Sequence, residues 1–212
     1  LKPKLRGYGI FQGAWRLHWP TCAEIFRLGI PVAGLTFLEV GLFVAASILS
    51  GVISVKTLAA YEVVMSWVGI PFVIALGLAE ATMVRVAHSV GRNHIQAVRR
   101  AGHLGMTLGV GLLTILVVIP LGLADQIIRI FITPADPGFA EVSKLATQFL
   151  IIAALFQVFD GLQAIAARAL RGLKDSVAPL WIAGFGYWVL GIGGGSMLAF
   201  PYGYGGAGLW WG

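Results

Sequence analysis

Residues 25–50 read IFRLGIPVAGLTFLEVGLFVAASILS, with one base near the start, Arg27, and one acid in the middle, Glu39. A membrane-crossing helix needs about 20 mostly apolar residues. A surface helix of a soluble protein would carry a charged face along such a length, and this stretch has none. Four further stretches repeat the pattern at about 57–85, 101–124, 139–167 and 177–200, and a sixth begins at Gly205. Composition points the same way. Of 212 residues, 58% are apolar and 11% charged, against roughly 25% charged in a soluble domain. The expected fold is an all-α integral membrane chain of five complete spans plus a truncated sixth. Glycine is abundant, 29 residues without a collagen-like period, as suits helices that approach closely. The single Cys22 excludes an internal disulfide framework and a multi-cysteine metal site. The chain opens at Leu1 and stops at Gly212 inside a new apolar segment, so the expectation is a piece of a longer protein.

Turn chemistry separates the spans at Ser50-Gly51, Gly91-Arg92-Asn93, residues 134–138 and Pro201-Tyr202-Gly203. Asp136 is expected to cap the fourth helix, with Pro137 in its first turn. Alternating these connections across a membrane sorts the 15 basic residues. Twelve fall on one side: five in residues 1–27, then Arg85, Arg92, Arg99, Arg100, Arg168, Arg171 and Lys174. Lys56, Arg129 and Lys144 fall on the other. Excess Lys and Arg marks the cytoplasmic side, which makes the amino-terminal segment cytoplasmic in a multi-pass protein of the cell membrane. The net charge of +6 is thereby explained without nucleic acid. Residues 1–24 mix basic residues with Tyr8, Phe11, Trp15 and Trp19, a blend suited to the headgroup level or to a plain linker.

A carboxylate at bilayer depth costs from about 2.5 kcal/mol upward, yet this chain carries several. Glu39 lies near the middle of the first span and Asp160 well inside the fourth. Each is either a protonated carboxyl bonded to a neighbouring helix or part of an ion or proton pathway, and the pathway is the reading adopted. Gln157 and Gln163 flank Asp160 at three residues on either side, so one helix edge offers amide, carboxylate and amide. Such a stripe can supply oxygens to a desolvated Na⁺ or support a proton-exchanging acid, and it can equally hold helices together. Glu62 lies close to the outer end of the second span, where snorkelling is an alternative to a site role. Glu80 either reaches the interface or pairs with Arg85. Span aromatics such as Phe43, Phe156, Tyr187 and Trp188 read as packing, with some able to face an organic cation. No His-Glu-x-x-His, Walker A sequence or nucleophile with a base at membrane depth is present, so no enzyme is expected.

Several segments resemble the multidrug and toxic compound extrusion (MATE) transporters. Arg27-Leu28-Gly29-Ile30-Pro31 and Leu38-Glu39-Val40-Gly41 are similar to the opening helix of that family's carboxy-terminal lobe. Leu58-Ala59-Ala60-Tyr61, Ile70-Pro71 and Val84-Arg85-Val86 are similar to the next helix. Residues 153–161, AALFQVFDG, resemble the acidic helix, and residues 169–179, ALRGLKDSVAP, are the strongest match. The resemblance implies the second six-helix lobe, residues 25–212, of a twelve-helix transporter, with residues 1–24 as the inter-lobe linker. It implies export of organic cations or other toxic compounds in exchange for Na⁺ or H⁺, with no resident cofactor. Glu39 and Asp160 then stand at the cation-coupling positions; the spacing around Asp160 adds Gln157 and Gln163 as possible supporting residues, and the extra acid Glu62 is a further one. The implied partners are the lipid bilayer, a cationic organic substrate and the missing amino-terminal lobe. This chain departs from the family with Tyr61-Glu62 where His-Gln is frequent, Glu80 where Gln is frequent, and Gly193-Gly194-Gly195 where a proline is common. A lipid-linked oligosaccharide flippase of related architecture is the alternative.

Overall fold

The computed structural model describes residues 18–212; of the linker expected at 1–24, residues 1–17 lie outside the described residues and residues 19–24 are already helical. Among the described residues six helices follow one another: α1 (Trp19–Ile53), α2 (Val55–Gly91), α3 (Ile95–Phe131), α4 (Phe139–Gly172), α5 (Val177–Ala199) and α6 (Gly205–Trp211). The first five are long and apolar enough to cross a membrane, and no strand occurs among the described residues. Helices suit a bilayer because each satisfies its own backbone hydrogen bonds. They overrun the apolar stretches read from the sequence. The helix α3, for example, carries Arg99, Arg100 and Arg129 beyond its apolar centre, where long basic side chains reach the interface.

Two expected helix ends are corrected. Ser50-Gly51 does not break the chain; α1 runs on to Ile53, and extended Ser54 (φ −170°, ψ 157°) ends it. Ser50 is buried and packs in helical register, whereas Ser54 can serve the next helix. Its hydroxyl accepts the Thr57 backbone N–H at 3.0 Å as the N-cap of α2. Ser54→Ala is expected to lower stability by about 1 kcal/mol, read as a lower thermal midpoint in detergent. Asp136 does not cap α4. Its carboxylate accepts the Thr133 N–H at 3.1 Å and closes its own turn, leaving Gly138 in the left-handed region (φ 85°) as N-cap, with Pro137 outside the helix. The turns at Asn93 (φ 54°) and Gly203 (φ 74°) fall where the sequence placed them.

The core lies among α2, α3 and α4: Ala60, Val64 and Val68 face Ile127 and Ile128, with Ala146, Phe149, Leu150 and Ala153 between them. Small residues let these helices close up. A Cβ on Gly161 would lie 2.3 Å from Leu113 Cδ1, so this glycine serves packing rather than bending. The helix α3 kinks at Leu123 (φ −127°, ψ 26°), three residues past Pro120, which removes a helical hydrogen bond. In α5, Phe185–Gly194 is a π-helical segment, a feature often found at functional sites. The helix α1 is peripheral, with Leu35 and Ser50 its only buried residues, and rests on α2 and α5.

Ion pairs tie the bundle at both ends. Glu24 meets Lys174 at 2.6 Å and Glu80 meets Arg168 at 2.7 Å, whereas Lys56 pairs with Glu141. The start of α1 therefore lies with the α4–α5 connection, and the α1–α2 connection lies with the start of α4, as alternation of the spans requires. Glu80 pairs with Arg168, not Arg85. Arg85 lies on Glu80's own helix, and Arg168 reaches the carboxylate across the bundle.

Candidate functional site

Asp160 is 7% exposed on α4, the helix most enclosed by the others. Its neighbour Gly161 lies against Leu113, which fixes the carboxylate's height in the bundle. Glu39 is half-buried on α1. The two carboxylates come from separate helices, α1 and α4. Arg168 and Arg171, one turn apart near the end of α4, direct positive charge at Glu39.

The sequence-predicted supporting residues divide. Gln163 Oε1 accepts a hydrogen bond from the Tyr187 hydroxyl at 2.9 Å. That bond ties α5 to α4 three residues along from Asp160. Gln157 is 3% exposed, and its Nε2 has no hydrogen-bond partner among the described residues. Glu62 stands apart: it accepts a hydrogen bond from Ser47 at 2.8 Å, beside Tyr61, whose hydroxyl donates to the Phe43 carbonyl at 2.9 Å.

Tyr187 is the residue that sequence reasoning underrated. A phenol inside an apolar span needs a polar partner for its hydroxyl, and Gln163 is the amide that supplies one. Tyr187 sits in the π-helical segment of α5, beside a cavity of about 170 Å³ among α1, α2, α4, α5 and α6. Phe43, Tyr61, Phe156, Tyr187, Trp210 and Trp211 supply aromatic walls, and no basic side chain among the described residues lines it. The rings of Tyr61 and Trp210 lie 5.5 Å apart, centroid to centroid.

The MatE family model matches residues 31–196 of this chain. The chain belongs to the MatE family. Its relatives include the probable multidrug resistance protein NorM of Mesorhizobium japonicum, 41% identical over 210 residues, and that of Brucella suis, 39% identical over 211. Each alignment covers 99% of this chain and 45% of the relative, so the chain spans about half the length of the curated relatives it matches. Among solved structures, an outward-facing multidrug resistance MATE family transporter of the MOP superfamily superposes with a TM-score of 0.78 at 20% identity. That match covers 89% of this chain and 40% of the other. A MOP superfamily transporter from Pyrococcus furiosus gives 0.77 at 21% identity, with the same coverage. These structures establish the fold. As a MatE chain with five span-length apolar helices, this is a multi-pass membrane protein of a family of transporters, not enzymes.

Proposed function

We propose that this chain is the carboxy-terminal lobe of a secondary antiporter that exports organic cations in exchange for Na⁺ or H⁺. The observation that carries the reading is the buried carboxyl of Asp160 on α4, three residues from Gln163, whose amide accepts from a tyrosine that also walls an aromatic cavity, with Glu39 the acid inside α1. The two acids would take the coupling ion, with Gln163 and Gln157 offering amide oxygens and Glu62 adding negative charge at the cavity's other flank. Aromatic faces attract organic cations through their ring quadrupoles, and nearby carboxylates strengthen that preference. An ion that binds one helix arrangement better than another shifts the equilibrium between them by that difference in affinity. A substrate favouring the other arrangement would then leave as the ion enters. The twelve-to-three division of basic residues supports a cytoplasmic amino-terminal segment in the cell membrane. Two acids inside the spans do not favour the oligosaccharide flippase, whose phosphate needs positive charge.

The test uses the complete transporter in cells loaded with a fluorescent organic cation. Efflux is followed while the Na⁺ and H⁺ gradients are collapsed in turn. The expected result is efflux that stops with one gradient and persists without the other. Efflux indifferent to both would overturn the coupling. Tyr187→Phe removes one hydrogen bond, worth about 1 kcal/mol, so a roughly fivefold slower efflux is expected at unchanged expression. Unchanged efflux in that variant would leave Tyr187 a packing residue.

A further inference from the structure

Towards the other end of α2 from the aromatic cavity, a second cavity of about 350 Å³ opens between α2 and α3. Its walls are two facing stripes. On α2 they are Leu78, Thr82, Arg85 and Ser89, at helical spacing; on α3 they are Arg100, Leu104, Gly105 and Leu108. The helices run antiparallel from the turn at Asn93, so Arg85 and Arg100 meet at the end nearest that turn, and the leucines line the deeper part. From each arginine to the leucine farthest along its helix is seven or eight residues, about 10–12 Å at helical rise. Gly105 keeps the floor shallow: a Cβ there would lie 2.3 Å from Thr82 Oγ1. Both arginines are exposed, and neither pairs with a carboxylate among the described residues. Glu80, five residues before Arg85 on the same helix, is taken by Arg168.

We propose that this groove binds an anionic phospholipid. Its phosphodiester lies between Arg85 and Arg100 at the interface, with Ser89 beside it, and the upper part of one acyl chain lies over Leu78, Leu104 and Leu108. Charge complementarity selects this occupant. Two guanidinium groups left without carboxylates at the head of an apolar slot match a lipid that is anionic at one end and hydrocarbon below it. Arginine forks recognise phosphate with paired hydrogen bonds, and basic pockets between spans are the usual place for such headgroups. The site is separate from Glu39 and Asp160 and does not rest on the coupling proposal.

The test measures thermal unfolding of the complete purified transporter, delipidated in neutral detergent and titrated with phosphatidylglycerol or with phosphatidylcholine of the same acyl chains. Phosphatidylglycerol is expected to raise the midpoint saturably and phosphatidylcholine to leave it unmoved. Arg85→Gln with Arg100→Gln is expected to weaken the apparent phosphatidylglycerol affinity roughly 25-fold, about fivefold for each arginine near the surface. Arg92→Gln with Arg99→Gln, on the same connection but outside the groove, is expected to retain it. Leu104→Trp, which fills the slot without touching the charge, is expected to lose it, and decides the matter should the double arginine variant fail to fold. Equal stabilisation by phosphatidylcholine would overturn the proposal. So would equal stabilisation by glycerophosphate, which makes the ligand a free phosphate, or an equal loss in the Arg92/Arg99 control, which makes the effect one of general surface charge.

Discussion

Asp160→Asn is expected to reduce gradient-driven efflux of an organic cation to the level of cells lacking the transporter, with the protein still folded and inserted. Asn keeps the volume and the planar shape of Asp, and an amide is tolerated where a carboxyl can sit protonated. What it removes is the capacity to hold a proton or to ligate a cation with full negative charge. Asp160 is the more enclosed of the two acids, 7% exposed, on a helix packed closely at that point, with Leu113 against Gly161. Asp160→Glu is therefore also expected to fail, or to retain only a small fraction of efflux, since the added methylene has no room to displace. Glu39 stands on peripheral α1, whose residues are mostly exposed, so Glu39→Asp is expected to be the milder change and Glu39→Gln as severe as Asp160→Asn. Efflux is measured beside membrane-inserted protein level for each variant. If Na⁺ is the ion, the purified wild type gains about 2.7 kcal/mol at a hundredfold excess of Na⁺ over its dissociation constant, and Asp160→Asn loses that gain. Undiminished gradient-driven efflux in Asp160→Asn would make the acid a structural carboxyl and end the proposed mechanism.

The spans and the two acids were legible from the sequence for the same reason. Apolar runs of span length have one stable solution in a bilayer, and an acid inside such a run stands out by its cost. The family resemblance in Leu38-Glu39-Val40-Gly41 and in the Asp160 segment reached the same two residues independently. Helix ends were less legible, because they depend on competition between side chains for backbone groups. Ser50-Gly51 and Ser54 both look like punctuation. Only the packing that buries Ser50, and the bond from Thr57 N–H to the Ser54 hydroxyl, decide between them. Asp136 could serve either of two turns and closed the earlier one. The pairing of Glu80 with Arg168 crosses 88 positions, and no local rule selects such a partner over Arg85 on Glu80's own helix. The bond from Tyr187 to Gln163 joins different helices in the same way. Residues far apart in sequence meet through helix rotation, which hydrophobic pattern constrains weakly when every face is apolar. In a soluble bundle the polar face would have fixed those rotations. Here close contacts between small residues fix them instead.

Gly172→Ala is expected to destabilise the lobe more than any other single-methyl addition between α2 and α4, although it adds the smallest side chain available. A Cβ at 172 would lie 2.8 Å from the Met83 carbonyl oxygen and 3.1 Å from Val86 Cγ1. A backbone carbonyl inside a helix has no rotamer to escape into, so α4 must shift bodily away from α2. That shift carries Arg168 and Arg171 with it and strains the Arg168–Glu80 bond of 2.7 Å. Gly109→Ala makes a useful contrast. Its Cβ would come even closer to a neighbour, 2.4 Å, but the neighbour is Ile165 Cδ1, the free end of a side chain that can rotate. Between spans in lipid, little hydrophobic gain offsets a separation, because lipid tails are as apolar as the side chains, and association rests on close packing. Overpacking typically costs about 1–3 kcal/mol, and Gly172→Ala is expected near the top of that range, with Gly109→Ala near the bottom. The readout is the thermal unfolding midpoint of the complete transporter in one detergent, with both variants beside wild type. A Gly172→Ala protein as stable as wild type, beside a destabilised Gly109→Ala, would show that α2 and α4 yield at the backbone more easily than a side chain turns, and the packing account of the bundle would fail.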